Sequence, residues 1–177
     1  VLWDLAEAAG ITCFGTSAAY IGACPKAGLR PAEGRDLSAL RSVGSTGSPL
    51  SPDTQKWGNA QFKKIQNLHN TSSHIQRQDD GDIWWCNISG GTDFCGAFIG
   101  GNRELPQEPG VMQCRLLGCA VEAWSEAGEP VHGEVGELVC VQPIPSMPLY
   151  FWNDAQNARY LASYFEMYPA GRGRQPG

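Results

Sequence analysis

The chain has 177 residues, of which 42% are hydrophobic and 18% are charged, and its formal net charge is -5. This composition is typical of a globular chain that can bury a sizeable core, and it argues against intrinsic disorder. The acidic balance gives no electrostatic reason to bind nucleic acid or anionic lipid. No apolar run approaches the roughly 18 residues of a membrane span, so we expect neither nucleic acid nor a membrane as a partner.

The seven cysteines indicate a reducing compartment. Their number is odd, no CxxC pair occurs, and several lie in apolar surroundings, as Cys13 and Cys140 do. A free cysteine of this kind behaves as a small buried hydrophobe, so we expect no disulfide framework and a cytoplasmic protein. The chain also starts at Val1 without a signal peptide, and we expect it to be a fragment of a larger enzyme.

The first half of the chain predicts helices alternating with strands. A helix is expected over Val1–Ala9, because apolar residues recur on one face and Gly10 can close its end in a left-handed conformation. A short strand over Ile11–Phe14 follows. Thr16 or Ser17 can then cap a second helix.

Further along, a second strand is expected within Leu37–Ser45, and Ser51–Asp53 is a good helix start. The face of this helix is weakly amphipathic, with the spacing Trp57, Gln61, Ile65 and Leu68. The polar run Asn67–Gly81 predicts an exposed loop. Asp82–Ile88 is an apolar strand that leads into a glycine-rich turn, and open α/β sheets place ligands at such points.

After Gly110 the pattern changes to short strands. Strands, a hairpin turn and a capped helix are predicted, in chain order, at Met112–Leu116, Val121–Ala123, Glu126–Glu129 (the turn), Gly136–Val141 and Asp154–Leu161 (the helix). The fold class is therefore α/β, with an α/β portion over residues 1–110, a β-rich portion of the same domain over 111–169, and a tail over 170–177.

The strongest candidate for chemistry is Ser89-Gly90-Gly91-Thr92-Asp93. Two glycines let backbone N–H groups approach a phosphate, and the Thr92 hydroxyl can donate to a phosphoryl oxygen. The Asp93 carboxylate suits Mg²⁺, which prefers oxygen ligands. The plain alternative is a tight turn with a capping threonine and a solvated aspartate, which the five residues alone favour.

The second candidate is the loop Ser45–Pro49, which could expose backbone groups to a ring or a phosphate but is, on its own, an ordinary loop. Three histidines and two glutamates make weaker groupings, namely His69, His74, His132, Glu134 and Glu137. The histidines lack metal-ligand spacing. The glutamates could form an acid–base pair, although surface placement is the simpler interpretation.

Long segments of the chain resemble the acetoacetyl-CoA synthetase family of the adenylate-forming acyl-CoA synthetase superfamily. The residues that carry the resemblance are Ile11–Ala18, Gly44–Leu50, Ser89–Asp93 with Ala97–Asn102, Gln113–Arg115, Gly118–Ala123, Gly133–Val139, Gln142–Pro148, Phe151–Asp154 and Arg159–Pro169, with gaps in the last. They cover most of the chain and are far more specific than a glycine-rich turn. The resemblance implies part of the large N-terminal domain of such an enzyme.

The resemblance also implies an activity, an acid–thiol ligase of the AMP-forming type. ATP and acetoacetate would give acetoacetyl-adenylate and pyrophosphate, and CoA would then displace AMP. The implied cofactors are ATP or AMP, Mg²⁺, and CoA as a substrate, so the partners are small molecules. Positive charge and hydrogen-bond donors are needed because the phosphates must be neutralised while a carboxylate attacks.

Site residues follow from the resemblance position by position. The adenine side would be lined by Gly47, Ser48 and Pro49. The AMP phosphate and the neighbouring acyl group would meet Gly90, Gly91 and Thr92, with Thr92 as the catalytic contact. Asp93 would be the metal-facing acid, directly or through a water, because it is shorter than the glutamate common in the superfamily. The acyl pocket would include Phe14, Thr16 and Ser17.

Several parts of the family pattern are missing from these 177 residues: the phosphate loop with its lysine, the ribose-binding aspartate and the C-terminal domain. Residues 58–80 are longer and more polar than the family pattern, and residues 170–177 do not match it. We therefore expect the chain alone to be inactive and to aggregate through its exposed edges. Two alternatives remain open: a synthetase for another short carboxylic acid, or a non-catalytic nucleotide-binding remnant.

Overall fold

The structure, a computed structural model, describes residues 1–66 and 83–168. The predicted polar loop over 67–81 and the tail over 170–177 lie outside the described residues, as do His69, His74 and Leu68. The chain divides into two compact units: one comprises Val1–Ser89 and Gly100–Cys114, and the other comprises Gly90–Ile99 and Arg115–Gly177. Each unit is described by itself.

The first unit is a small parallel sheet with three helices. Its elements are α1 (Leu2–Ala8), β1 (Cys13–Ser17), α2 (Ala18–Lys26), β2 (Ser42–Thr46), α3 (Pro52–Gln66) and β3 (Trp84–Asn87). The strand order is β1-β2-β3, and both neighbouring pairs are parallel. A helix follows β1 and another follows β2, and parallel strands need such crossovers. The predicted α/β class is confirmed.

Local signals placed the helix ends well. Ser17 caps α2, since its Oγ accepts from the backbone N–H of Tyr20 at 3.1 Å. Ser51 plays the same role for α3, where its Oγ accepts from the N–H of Thr54 at 3.2 Å. Gly10, which follows α1, has the left-handed φ of 58° that the sequence predicted. These ends depend on residues three or four positions apart, which is why the sequence shows them.

The strand boundaries were less accurate. The strand predicted over Ile11–Phe14 is observed over Cys13–Ser17, and the one predicted within Leu37–Ser45 is observed over Ser42–Thr46. The second strand was predicted to start too early because of two apolar residues, Leu37 and Leu40. Both are buried, with 3% and 1% of their surface exposed, but they lie in a loop. Apolar character reports burial here, not strand pairing.

The buried face of α3 is only partly the predicted one. Burial is described as far as Phe62, and within that part Gln55, Gly58 and Phe62 are buried, Gln61 is intermediate, and Trp57 is partly buried and packs against the core. The sheet decides which face of α3 is buried, because two side chains on β3 form hydrogen bonds with the helix. The indole N–H of Trp85 donates to Asn59 and the amide of Asn87 donates to Gln55. The side-chain oxygen of Gln55 is therefore hydrogen-bonded, although the residue is fully buried against the sheet.

We expect Gly58→Ala to destabilise the first unit. A Cβ at Gly58 would lie 2.6 Å from Trp85 Cη2 and closer still to Cζ2. The Trp85 side chain is itself almost fully buried. Such overpacking costs about 1–3 kcal/mol, which exceeds the roughly 1 kcal/mol that alanine gains over glycine in a helix. The urea concentration at the midpoint of unfolding, measured on the complete protein, should therefore fall.

Gly22→Ala is the matched control, because Gly22 also lies in a helix. Its added Cβ would meet only Thr54 Oγ1, at an ordinary 3.9 Å. We expect this variant to raise the urea midpoint slightly through helix propensity alone. Equal effects of the two substitutions would show that the contact between Gly58 and Trp85 does not matter.

Most residues of the remaining elements belong to the second unit. These elements are β4 (Ser89–Gly91), β5 (Gly96–Gly100), β6 (Cys114–Arg115), β7 (Val121–Trp124), β8 (Glu137–Cys140), a 3₁₀ turn (Ala155–Asn157) and α4 (Ala158–Phe165). Strands β4, β5 and β6 form one sheet in that order, and β7 pairs antiparallel with β8. The sequence predicted β7 and β8 but missed β5, and it described β4 as part of a turn.

The helix that Asp154 was predicted to cap is split into a 3₁₀ turn, which starts directly after Asp154, and α4, which starts at Ala158. Gln156 and Asn157 have left-handed φ values of 58° and 57°, which separate the 3₁₀ turn from α4. Asp154 nevertheless serves α4, because its two carboxylate oxygens accept from the N–H groups of Arg159 and Tyr160 at 2.9 and 2.8 Å. These contacts satisfy backbone donors that the first turn leaves free.

No helix in the described part of the chain is long and apolar enough to cross a bilayer. All seven cysteines lie in the described ranges, and each is a free thiol.

Candidate functional site

The first candidate loop follows the parallel sheet of the first unit at its carboxyl end. Ser17 and Thr46 are register partners, so β1 and β2 end side by side. Gly47, Ser48 and Pro49 come directly after Thr46, and all three are exposed. Gly47 has a φ of 85°, which side-chain-bearing residues rarely adopt. The sheet thus brings the predicted adenine loop next to Ser17, at the edge where ligands bind in open α/β sheets.

A buried amide network lies directly behind this loop. Ser45 and Asn87 are register partners on β2 and β3, and the Asn87 amide donates to Gln55 Oε1 at 3.0 Å. The backbone N–H of Gly110 donates to the same oxygen at 3.0 Å. That backbone donor fixes which atom of the Gln55 amide is the oxygen. Three buried atoms then have no partner among the described residues: Ser45 Oγ, Gln55 Nε2 and Asn87 Oδ1.

The sequence interpretation did not single out Asn87 or Gln55. Burying unpaired polar atoms costs free energy, so such a group at the end of a sheet is a candidate contact for a polar ligand or a water. The only local signal was a polar residue that ends an apolar strand. That signal does not distinguish a buried asparagine from a solvated one.

The three residues predicted for an acyl pocket have different environments. Phe14 is a core residue, with 7% of its surface exposed and its ring stacked on Trp3 at a centroid distance of 4.3 Å. Thr16 is half-buried, and Ser17 is exposed at the start of α2. Of the three, Ser17 and Thr16 can present oxygen atoms near the carboxyl end of β1, whereas Phe14 contributes apolar packing.

The second candidate loop belongs to the second unit, where two glycines are closely packed. A Cβ at Gly90 would lie 2.7 Å from the Ala97 Cα and still nearer to the carbonyl oxygen of Gly96. A Cβ at Gly91 would lie 3.0 Å from the ring of Phe94. Gly90 therefore needs glycine for local packing, whether or not a phosphate approaches, whereas at Gly91 an added Cβ would make only a tight contact with a side chain.

Thr92 and Asp93 occupy the turn that follows β4. The turn is closed by the Cys95 N–H, which donates to the Thr92 carbonyl at 3.1 Å. Phe94 is buried and stacks on Phe98 at a centroid distance of 4.1 Å. The Thr92 and Asp93 side chains are exposed. The core thus anchors Phe94 and leaves the side chains of Thr92 and Asp93 at the surface, where a ligand could reach them.

Tyr164, on α4, is a further residue at this turn. Its hydroxyl donates to Asp93 Oδ2 at 2.9 Å. Partial burial, together with this bond to a carboxylate, raises the pKa of Tyr164 to about 12, so the phenol is neutral at ordinary pH. The structure therefore brings Gly90, Gly91, Thr92 and Asp93 together with a tyrosine that sequence reasoning missed.

The turn supplies one carboxylate, that of Asp93, as a ligand for Mg²⁺. In the described part of the chain, no three His, Cys, Asp or Glu side chains are grouped as a metal site. Mg²⁺ in nucleotide enzymes keeps several waters and takes one or two carboxylates plus the phosphates of the substrate. The exposed carboxylate of Asp93 meets that requirement, with Oδ2 already bonded to Tyr164.

A cavity of about 870 Å³ lies in the second unit, lined on its apolar side by Phe94, Phe98, Val139, Ile144, Met147 and Phe165. Of the weaker groupings, only His132, Glu134 and Glu137 lie in the described part of the chain, and all three are exposed. This surface placement is the simpler of the two interpretations. Glu137 also lies among the residues that line the cavity.

Curated relatives match nearly the whole chain. The acetoacetyl-CoA synthetase of Xenopus tropicalis is 39% identical over 169 residues, or 96% of this chain. The acetoacetyl-coenzyme A synthetase of Rhizobium meliloti (strain 1021) is 43% identical over 168 residues, or 95% of the chain. In both cases the chain spans only 23% of the relative's length. No protein-family model matches the chain.

Solved structures give the same result. The acetoacetyl-CoA synthetase from Streptomyces lividans superposes with a TM-score of 0.77 at 44% identity, over 94% of this chain and 24% of that protein. The anthranilate CoA ligase AuaEII matches with a TM-score of 0.64 at 17% identity, over 90% and 26%, and shows the fold alone. By sequence and fold, the chain is similar to acetoacetyl-CoA synthetases, and it matches about a quarter of their length.

Proposed function

We propose that the complete protein carrying this segment ligates acetoacetate to CoA through an acyl-adenylate, at the expense of ATP. The observation that carries the proposal is the similarity, along almost all of the chain, to proteins named acetoacetyl-CoA synthetase. The exposed turn with Thr92 and Asp93 supports it, because a hydroxyl and a carboxylate stand together after a strand and two tightly packed glycines.

In the first step, a carboxylate oxygen of acetoacetate attacks the α-phosphorus of ATP, and pyrophosphate leaves with the electron pair of the broken P–O bond. The Thr92 hydroxyl would donate to a phosphoryl oxygen as negative charge builds up there. Gly90 and Gly91 would let the backbone approach the phosphate and the acyl group. Gly47, Ser48 and Pro49 would line the adenine.

Mg²⁺ would supply positive charge that neutralises the phosphates. Asp93 is the residue of this chain that would hold it, directly or through a water molecule. Thr16 and Ser17 would border the acyl group at the end of β1, with Phe14 packing behind them.

In the second step, the CoA sulfur attacks the carbonyl carbon of the adenylate, and AMP leaves with the electrons of the acyl–phosphate bond. The thiol proton is lost to solvent or to a base outside this segment. We expect the complete protein to be cytoplasmic, in keeping with seven free thiols. We expect its partners to be small molecules rather than nucleic acid or a membrane, in keeping with a net charge of -5.

The experiment is pyrophosphate release by the complete protein, with acetoacetate, acetate and butyrate compared at equal concentration. Butyrate is the sharpest control, because it matches acetoacetate in chain length but lacks the 3-keto oxygen. We expect release that requires acetoacetate and Mg²⁺, followed by acetoacetyl-CoA when CoA is added. The 177-residue chain tested alone should release none, because adenylation depends on many groups positioned at once.

Each of the other outcomes would support one of the two alternative functions. Faster release with another short acid would make the protein a synthetase for that acid, since pocket shape decides such preferences. A folded complete protein that binds AMP but releases no pyrophosphate with any acid would be a non-catalytic nucleotide-binding remnant.

A further inference from the structure

We propose that Tyr164 is a positioning residue for the reaction, which orients the carboxylate of Asp93 toward the cation. The inference rests on the proposed function and extends it to a residue 71 positions away in the sequence. Its basis is one contact within the second unit, in which the Tyr164 hydroxyl donates to Asp93 Oδ2 at 2.9 Å. The other carboxylate oxygen, Oδ1, stays available.

Asp93 needs such support because of where it lies. Its side chain is exposed in a turn of four residues. An exposed carboxylate there can take several rotamers, and each wrong rotamer weakens a metal contact. A hydrogen bond to one oxygen selects a rotamer and leaves the other oxygen for the cation.

Tyr164 is itself held in place. Its ring packs on Phe151 and Tyr160 at centroid distances of 5.8 and 5.5 Å. The helix that carries it is anchored at its start by Asp154, which accepts from the backbone N–H groups of Arg159 and Tyr160. The hydroxyl is thus presented by a packed ring on a capped helix, which is the arrangement that holds a ligand-orienting group still.

The chemistry of the donor also suits this role. A tyrosine hydroxyl donates one hydrogen bond without carrying a charge. A lysine or arginine at this point would neutralise the carboxylate and compete with the cation. The neutral donor keeps the full negative charge of Asp93 for the metal.

The test measures metal affinity directly. Mn²⁺ is added to the complete protein with a non-hydrolysable ATP analogue, and free Mn²⁺ is followed by electron paramagnetic resonance. We expect Tyr164→Phe to weaken Mn²⁺ binding about tenfold, at the lower end of the range for groups that orient metal ligands. Tyr168→Phe is the matched control: it removes another tyrosine hydroxyl bond, to the Ser125 carbonyl at 3.1 Å, and should leave Mn²⁺ affinity unchanged.

A double-mutant comparison separates positioning from general stability. In an Asp93→Ala background, Tyr164→Phe should have no further effect on Mn²⁺ affinity, because no carboxylate is left to orient. Unchanged Mn²⁺ affinity in Tyr164→Phe, or an equal loss in both backgrounds, would overturn the inference. If the wild-type protein releases no pyrophosphate with acetoacetate, it is the proposed function that fails, whereas a weakened Mn²⁺ site in Tyr164→Phe would still support the positioning role.

Discussion

Replacing Asp93 by asparagine in the complete protein is expected to lower acetoacetate-dependent pyrophosphate release about a hundredfold or more. Asparagine keeps the shape of the side chain and an oxygen that can accept the Tyr164 hydroxyl, so only the charge is removed. If Asp93 holds Mg²⁺, the phosphates lose the charge that stabilises them during attack. The measurement is initial pyrophosphate release at saturating ATP over a range of Mg²⁺ concentrations.

Asp93→Glu is the control for this prediction. It keeps the negative charge and lengthens the side chain by one methylene, so we expect it to retain activity within about tenfold of the wild type, because the longer side chain can still bring a carboxylate to the metal. High Mg²⁺ should partly restore Asp93→Glu and leave Asp93→Asn low. A fully active Asp93→Asn would show that the metal is held elsewhere in the protein.

The second large effect is expected from Gly90→Ala. The new Cβ would lie 2.7 Å from the Ala97 Cα and nearer still to the Gly96 carbonyl, and both obstacles are backbone. No rotamer change can relieve that contact, so β4 and β5 must move apart. A shift of about 1 Å at the turn that carries Thr92 and Asp93 can cost about a hundredfold in rate, and overpacking adds roughly 1–3 kcal/mol of destabilisation.

Gly15→Ala serves as the folding control for Gly90→Ala. Gly15 also lies in a strand, but its added Cβ would meet nothing within 4 Å. Thermal unfolding of Gly15→Ala should match the wild type, whereas Gly90→Ala should unfold at lower temperature and release pyrophosphate slowly. A Gly90→Ala protein with normal melting and normal activity would contradict the packing argument for this glycine.

The helices show how far local rules reach in this chain. The caps at Ser17 and Ser51 and the left-handed Gly10 were predicted, because each depends on neighbours a few residues away. The predicted face of α3 was only partly correct: Trp57 packs against the core, but Gln55 and Gly58, which were not predicted, are buried against the sheet. That choice depends on Trp85 and Asn87, which lie about 30 residues further along the chain.

The candidate site likewise contains residues that local sequence shows and one that it does not. The turn with Gly90, Thr92 and Asp93 could be found from sequence because its residues are consecutive. Tyr164 could not be found, because nothing around it marks it as different from Tyr160 or Tyr168. Only the packing of α4 within the second unit brings its hydroxyl to Asp93.

The sequence by itself determined the α/β class and the helix caps, because both depend on periodicity and on interactions between neighbours in the chain. The likeness to acetoacetyl-CoA synthetases, and with it the roles proposed for the two candidate loops, came from resemblance and not from composition. The tertiary structure decided which strands pair, why Gly90 must be glycine, and which distant side chain bonds to Asp93. These features depend on contacts between residues far apart in sequence, whose geometry exists only once the core has packed.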